Sequence, residues 1–180
     1  INPHGFEEFD NGNCAAEKHS CDQKEKVCEV PSSWDQTERC LVSHFGVGSQ
    51  GTGLLRMCLS MDDVEVPAVC DIKQEAVMNA QNLVEESGRK RPEAYSKSET
   101  DYENLVIRDD LDGIVIATPW LWHVPMCVAS MKAGKYCAPE VWGASSVEEL
   151  WELVEVSEDT GMPCMMLENH CYDRSNMAGL

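Results

Sequence analysis

The stretch Leu41-Val42-Ser43-His44-Phe45-Gly46-Val47-Gly48-Ser49-Gln50-Gly51 decides the fold. Its last six residues satisfy G-x-G-x-x-G, a pattern that recurs by chance and gains meaning only from context. Here a short apolar run precedes it, helical spacing follows over residues 51–61, and Asp71 ends the next strand 20 residues beyond Gly51. Strand, tight glycine turn, helix, strand and acid, at those intervals, make a β-α-β unit that accepts a pyrophosphate. Gly46 permits the turn, Gly48 leaves no Cβ between backbone and phosphate, and Gly51 lets helix and strand approach closely. The free N–H groups at the helix start then face the anion with the helix dipole behind them. Asp71 is placed to accept hydrogen bonds from ribose hydroxyls and to repel a 2′-phosphate, which favours NAD over NADP. Ser43 and His44 interrupt the first strand, which is expected to be weak or near a sheet edge.

Outward from this unit the chain alternates strand and helix signals. Residues 64–70 (V-E-V-P-A-V-C) read as a strand, 73–88 as an amphipathic helix, 94–95 as a short strand and 101–108 as a helix. Residues 113–117 (G-I-V-I-A) are the clearest buried strand, bounded by Thr118-Pro119. A helix over 123–133, a strand over 136–138, a helix over 146–160 and an apolar strand over 162–167 complete the series. Leu150, Leu153 and Val154 are expected to form the buried stripe of the last helix, and Met165 and Met166 to lie in the core. Such alternation predicts an α/β fold, a doubly wound parallel sheet of Rossmann type, over residues 41–180.

Composition sets outer limits. The chain has 180 residues, 32 of them Asp or Glu against 14 Lys or Arg, for a net charge of −18. A field of that sign argues against nucleic acid and against anionic membrane surfaces as partners. No apolar run reaches the length of a membrane span. Residues 1–40 carry 4 basic and 9 acidic residues without sustained apolar period, and read as a polar, irregular extension. The chain starts at Ile1 rather than Met, as a processed or truncated product would, and its compartment stays open, cytoplasmic or secreted after processing. Cys14, Cys21, Cys28 and Cys40 match no zinc template, and no metal site is expected there. Cys58, Cys70, Cys127, Cys137, Cys164 and Cys171 read as small buried hydrophobes.

Ligands of doubly wound sheets sit at the carboxyl ends of the strands. Those ends carry Thr118-Pro119-Trp120-Leu121-Trp122-His123, then Pro139-Glu140-Val141-Trp142-Gly143, then Glu168-Asn169-His170-Cys171-Tyr172. With G-V-G-S-Q-G-T-G, the D-G-I-V-I-A-T-P-W-L-W-H run, M-K-A-G-K-Y and C-M-M-L-E-N-H-C-Y, these segments resemble the NAD-binding domain of the Gfo/Idh/MocA oxidoreductase family. Within that family the chain looks most like glycoside hydrolase family 109, which contains NAD-dependent α-N-acetylgalactosaminidases. The resemblance implies cofactor contacts from Ser49 and Gln50, with Asp71 on the ribose. It implies that Trp120, Leu121, Trp122 and His123, with Glu140 and Val141, line the nicotinamide half, and that Asn169 holds its far side. Tyr172 would stand beside the sugar pocket, and Tyr172 and His123 are the candidate catalytic residues.

The same resemblance implies a chemistry unlike the two-carboxylate route of ordinary glycosidases. A sugar hydroxyl at carbon 3 is oxidised by NAD, the glycosidic oxygen leaves by elimination, water adds, and the hydride returns. A second, C-terminal substrate domain is expected for this and is absent from residues 1–180, as is any oligomer contact it would make. Val141 stands where sugar dehydrogenases of the wider family have Lys, which counts against a simple sugar or cyclitol dehydrogenase. That dehydrogenase and a non-catalytic NAD-binding or interaction module, or a degenerate one, are the alternatives to the glycosidase.

Overall fold

In a computed structural model of the chain, the structure describes residues 39–141 and 144–178. The extension over 1–38, with Cys14, Cys21 and Cys28, lies outside the described residues, as do Trp142 and Gly143. Six strands form one parallel sheet: β1 (Cys40–Phe45), β2 (Val64–Glu65), β3 (Ala68–Cys70), β4 (Glu93–Tyr95), β5 (Gly113–Ile116) and β6 (Tyr136–Pro139). Their order is β4-β3-β1-β5-β6, with β2 extending β1 at its start. The helices are α1 (Ser49–Leu59), α2 (Gln74–Glu86), α3 (Tyr102–Val106), α4 (His123–Lys132), α5 (Val147–Thr160) and α6 (Arg174–Met177).

Two apolar layers close on this sheet. Leu55 of α1 and Val77, Ala80 and Val84 of α2 pack with Val66 and Val69 on one face. Leu105, Val106, Met126, Cys127, Met131 and Val156, from α3, α4 and α5, pack with Phe45, Ile114 and Ile116 on the other. The chain therefore winds outward from β1 in both directions, the doubly wound arrangement, and strand order reverses between β1 and β5.

The predicted strand over 64–70 is split into β2 and β3 at Val66-Pro67, because Pro67 has no N–H to donate to a ladder. Ser146 caps α5 by accepting from the Glu149 N–H at 3.2 Å, and Gly161, at φ 69°, ends it. The expectation for 162–167 fails in part. This segment makes only isolated bridges to the sheet, Cys137 with Cys164 and Glu140 with Leu167, rather than a continuous strand. With that edge lightly covered, Met165 and Met166 are exposed rather than core. On α5 only Val156 is buried, whereas Leu150 and Val154 stay exposed and Leu153 is half-buried, so the predicted stripe is largely uncovered.

The expectation that β1 is weak or near an edge is also corrected, since β1 is the central strand, flanked by β3 and β5. Ser43 and His44 are both fully buried. His44 sits in register with Val69, on the α1–α2 face, and Ser43 beside Ile114 on the opposite face. Pairing on both sides fixes the backbone whatever side chains it carries. The cost falls on the side chains: Ser43 Oγ and both His44 ring nitrogens lack a hydrogen-bond partner among the described residues. Burial lowers the His44 pKa from 6.5 to about 4.

A lowered folded-state pKa means that the unfolded chain takes up the His44 proton first as pH falls. Stability is intact above pH 6.5 and is lost as pH drops from 6.5 towards 4. Between pH 7 and pH 4.5 the chain is expected to lose about 2–3 kcal/mol more than its His44→Leu variant, compared by urea denaturation. Equal losses in the two proteins would show that His44 does not carry this sensitivity.

Candidate functional site

The site lies where β1 and β5 end and the strand order reverses. Gly46 leaves β1 at φ 75°, and a Cβ there would stand 2.6 Å from the Ala117 carbonyl oxygen just past β5. A Cβ on Gly51 would stand 1.8 Å from the Gly46 carbonyl oxygen, so only glycine lets α1 rest on the turn. Gly48 differs: a Cβ there would meet nothing within 4 Å. It stands at the N-cap of α1, whose first turn has no side-chain cap and no acidic residue. The backbone donors of that turn are left for an outside acceptor, in a chain that is acidic almost everywhere else.

Asp71 anchors this turn. Its Oδ2 accepts from the Val47 N–H at 2.9 Å and its Oδ1 from the Lys73 N–H at 2.8 Å. A carboxylate has about four acceptor sites, so two backbone bonds leave capacity for ligand hydroxyls. Asp71 therefore ties the first turn to the end of β3 while staying half-buried at the mouth of a cleft of about 240 Å³. Gly46, Gly48, Asp71, Thr118, Pro119 and Trp122 line that cleft. Ile72, Lys73, Ser98 and Glu99 line it too and were not singled out from the sequence. Lys73 also borders the groove lined by Ser49 and Thr52. Its position two residues after Asp71 was the available signal.

The second half of the site follows β5 and β6. Pro119 opens a single 3-10 turn over Trp120–Trp122 that runs into α4. Trp122 packs edge-on against Tyr102, and Tyr102 edge-on against Phe45, with ring centroids 6.2 and 5.8 Å apart. This aromatic chain fixes the cleft wall to the sheet centre. Trp120 and Leu121 are instead 68% and 76% exposed, an apolar pair at the rim.

His123 is 3% exposed, and its Nε2–H donates to the Thr118 carbonyl at 2.8 Å. Nδ1 is then the acceptor nitrogen, buried and without a partner among the described residues. In this position the ring holds the Thr118–Pro119 backbone and has no proton free for a substrate at Nε2.

Across the strand ends, Gln50 Nε2 donates to Glu140 Oε1 at 2.8 Å, and Glu140 Oε2 accepts from the Val141 N–H at 3.0 Å. Leu167 bridges to Glu140, which brings the exposed Asn169 and the turn Asn169–Tyr172 to the same end of the sheet. The side chain of Tyr172 lies outside the described residues. Gly46, Gly48, Asp71 and Trp122 thus share one cleft, and Gln50 and Glu140 are joined. Ser49 borders the adjoining groove, while Trp120, Leu121 and Asn169 stand at the surface.

No protein-family model matches the chain. Relatives do. A glycosyl hydrolase family 109 protein of Saccharopolyspora erythraea is 40% identical over 145 residues, 81% of this chain and 32% of its own length. An alpha-N-acetylgalactosaminidase of Bacteroides fragilis is 40% identical over 132 residues, 73% of this chain and 31% of its own. The chain therefore spans about a third of the length of these relatives. Among solved structures, myo-inositol 2-dehydrogenase from Lactobacillus plantarum superposes with TM-score 0.68 at 21% identity, covering 79% of this chain and 40% of that one. The WlbA dehydrogenase from Bordetella pertussis, in complex with NADH and UDP-GlcNAcA, gives TM-score 0.68 at 16% identity, covering 78% and 40%. These structures share the fold.

The three glycines make a graded prediction. Gly51→Ala is expected to cost about 1–3 kcal/mol through overpacking against the turn. Gly48→Ala should leave the melting temperature near that of the unmodified chain, because its Cβ enters open space. Thermal denaturation of both variants checks this, and an equal loss at Gly48 would contradict an open cradle.

Proposed function

We propose that this homologue of the glycoside hydrolase family 109 proteins is the NAD-binding domain of a Gfo/Idh/MocA-like protein, and that it serves an NAD-dependent glycosidase. One observation carries the cofactor assignment: an uncapped helix start, opened by Gly48, whose turn is held by a carboxylate that keeps acceptor capacity at the cleft mouth. That donor and acceptor set fits a dinucleotide. The Ser49, Gln50 and Gly51 N–H groups would take the pyrophosphate, with Lys73 nearby, and Asp71 the ribose hydroxyls. A 2′-phosphate in the same place would face the Asp71 carboxylate, so NAD is preferred to NADP.

Toward the nicotinamide half, Trp120, Leu121 and Trp122 would exclude water, and Glu140 with Val141 would border the ring. Asn169 would lie at its far side. When bound, NAD supplies a hydride acceptor that oxidises a sugar hydroxyl at carbon 3 and later returns the hydride. The substrate class is a small glycoside, in keeping with the name of the Bacteroides fragilis relative at 40% identity. The apolar faces of Trp120 and Leu121 at the rim suit the C–H face of a sugar ring. Tyr172 is the candidate for proton transfer at the substrate. His123 is the positioning residue that fixes Thr118 and Pro119 under the cleft.

A sugar or cyclitol dehydrogenase is the second reading, favoured by the fold shared with the inositol dehydrogenase. Val141 opposes it, because an aliphatic side chain cannot polarise a substrate hydroxyl. Accumulation of NADH with substrate would mark the dehydrogenase, and release of an aglycone without net NADH the glycosidase.

Calorimetric titration of NAD and NADP into the chain tests the cofactor. NAD is expected to bind more tightly than NADP, and Asp71→Asn to weaken NAD by about 10- to 150-fold, the equivalent of about 1.5–3 kcal/mol for hydrogen bonds to a charged group. Equal affinity for the two nucleotides would overturn the ribose assignment, and no binding of either would favour a non-catalytic module.

A further inference from the structure

We propose that Cys127, Cys137 and Cys164 form a binding site for a soft, thiolate-seeking d10 metal ion, Zn(II) or Cu(I), separate from the nucleotide cleft. Cys127 comes from α4, Cys137 from β6, and Cys164 from the segment that bridges to β6. All three are free thiols, and their sulfurs lie within 4.8 Å of one another. Three sulfurs around one ion at about 2.3 Å each stand about 3.8–4.0 Å apart, so small side-chain rotations close the ring. Among the described residues no carboxylate or imidazole joins the group. An all-sulfur donor set selects soft ions over Mg(II), Ca(II) or Mn(II).

The backbone fixes the trio. The Cys137 N–H donates to the Pro163 carbonyl at 3.2 Å and the Met165 N–H to the Cys137 carbonyl at 3.0 Å, which sets Cys164 beside Cys137. Cys127 and Cys137 are buried, whereas Cys164 is half-buried and lines an open groove of about 390 Å³ with Pro139, Leu150, Val154 and Glu158. An ion thus has an entry on one side and a dry, apolar wall on the other. On loading, the thiol protons leave to solvent through the groove, three metal–sulfur bonds form, and no electron is transferred. The bound ion would clamp segment 162–167, otherwise held by two isolated bridges, onto the sheet edge.

The test uses the full chain, reduced and metal-free, with Cys14, Cys21, Cys28, Cys40, Cys58 and Cys171 replaced by Ser, which leaves the buried Cys70 as the one thiol outside the trio. Zn(II) is titrated against a chromophoric chelator and Cu(I) against bicinchoninate, which separates the two ions. One equivalent of one of them is expected, with a rise in melting temperature. Cys164→Ala and Cys127→Ala should each weaken binding by tenfold or more and abolish that rise, with folding checked by circular dichroism. X-ray absorption of the loaded protein provides a readout independent of the variants, with a shell of three sulfurs at about 2.3 Å expected. A shell of oxygen and nitrogen, or one-to-one binding unchanged in either folded variant, would overturn the proposal. So would failure of both ions to bind.

Discussion

Everything at this site depends on how closely two backbones approach where β1 and β5 end. Gly46 passes the Ala117 carbonyl at a distance no Cβ could occupy, and Gly51 seats α1 directly on Gly46. That contact aims the α1 terminus into the crevice at the reversal of strand order. The Asp71 carboxylate then holds the Val47 N–H, which ties the turn to the end of β3. Bare amides, a nearby Lys73 and an acceptor at the rim follow from this geometry. They leave donors suited to a polyphosphate within a chain whose overall charge opposes one.

Much of this was legible in the sequence because it is local. The glycine spacing, the buried run ending at Ile116 and the acid after β3 are patterns within single β-α-β units, and such units fold with fixed handedness. What was not legible is what depends on distant neighbours. His44 and Ser43 look like the marks of an edge strand, yet sheet order makes β1 central and buries both. His123 reads as a cofactor-lining and catalytic candidate at the start of a helix. Only the fold reveals that its ring is turned inward to the Thr118 carbonyl.

The same distinction applies at the far edge of the sheet. Apolar residues on α5 and in 162–167 read as core, but nothing among the described residues covers Leu150, Val154, Met165 and Met166. This chain aligns with about a third of the length of its relatives. Cysteines 127, 137 and 164 carry no spacing that a metal template would recognise. Three separate elements bring their sulfurs together, and only a three-dimensional arrangement displays them as a group.

The most direct measurement is amide NMR of the isotopically labelled chain as NAD is added. The account predicts that the signals of Gly48, Ser49, Gln50 and Gly51 move together with those of Asp71, Ile72 and Lys73, while those of α5 stay in place. Shifts confined to other residues, with residues 48–51 unmoved, would contradict it.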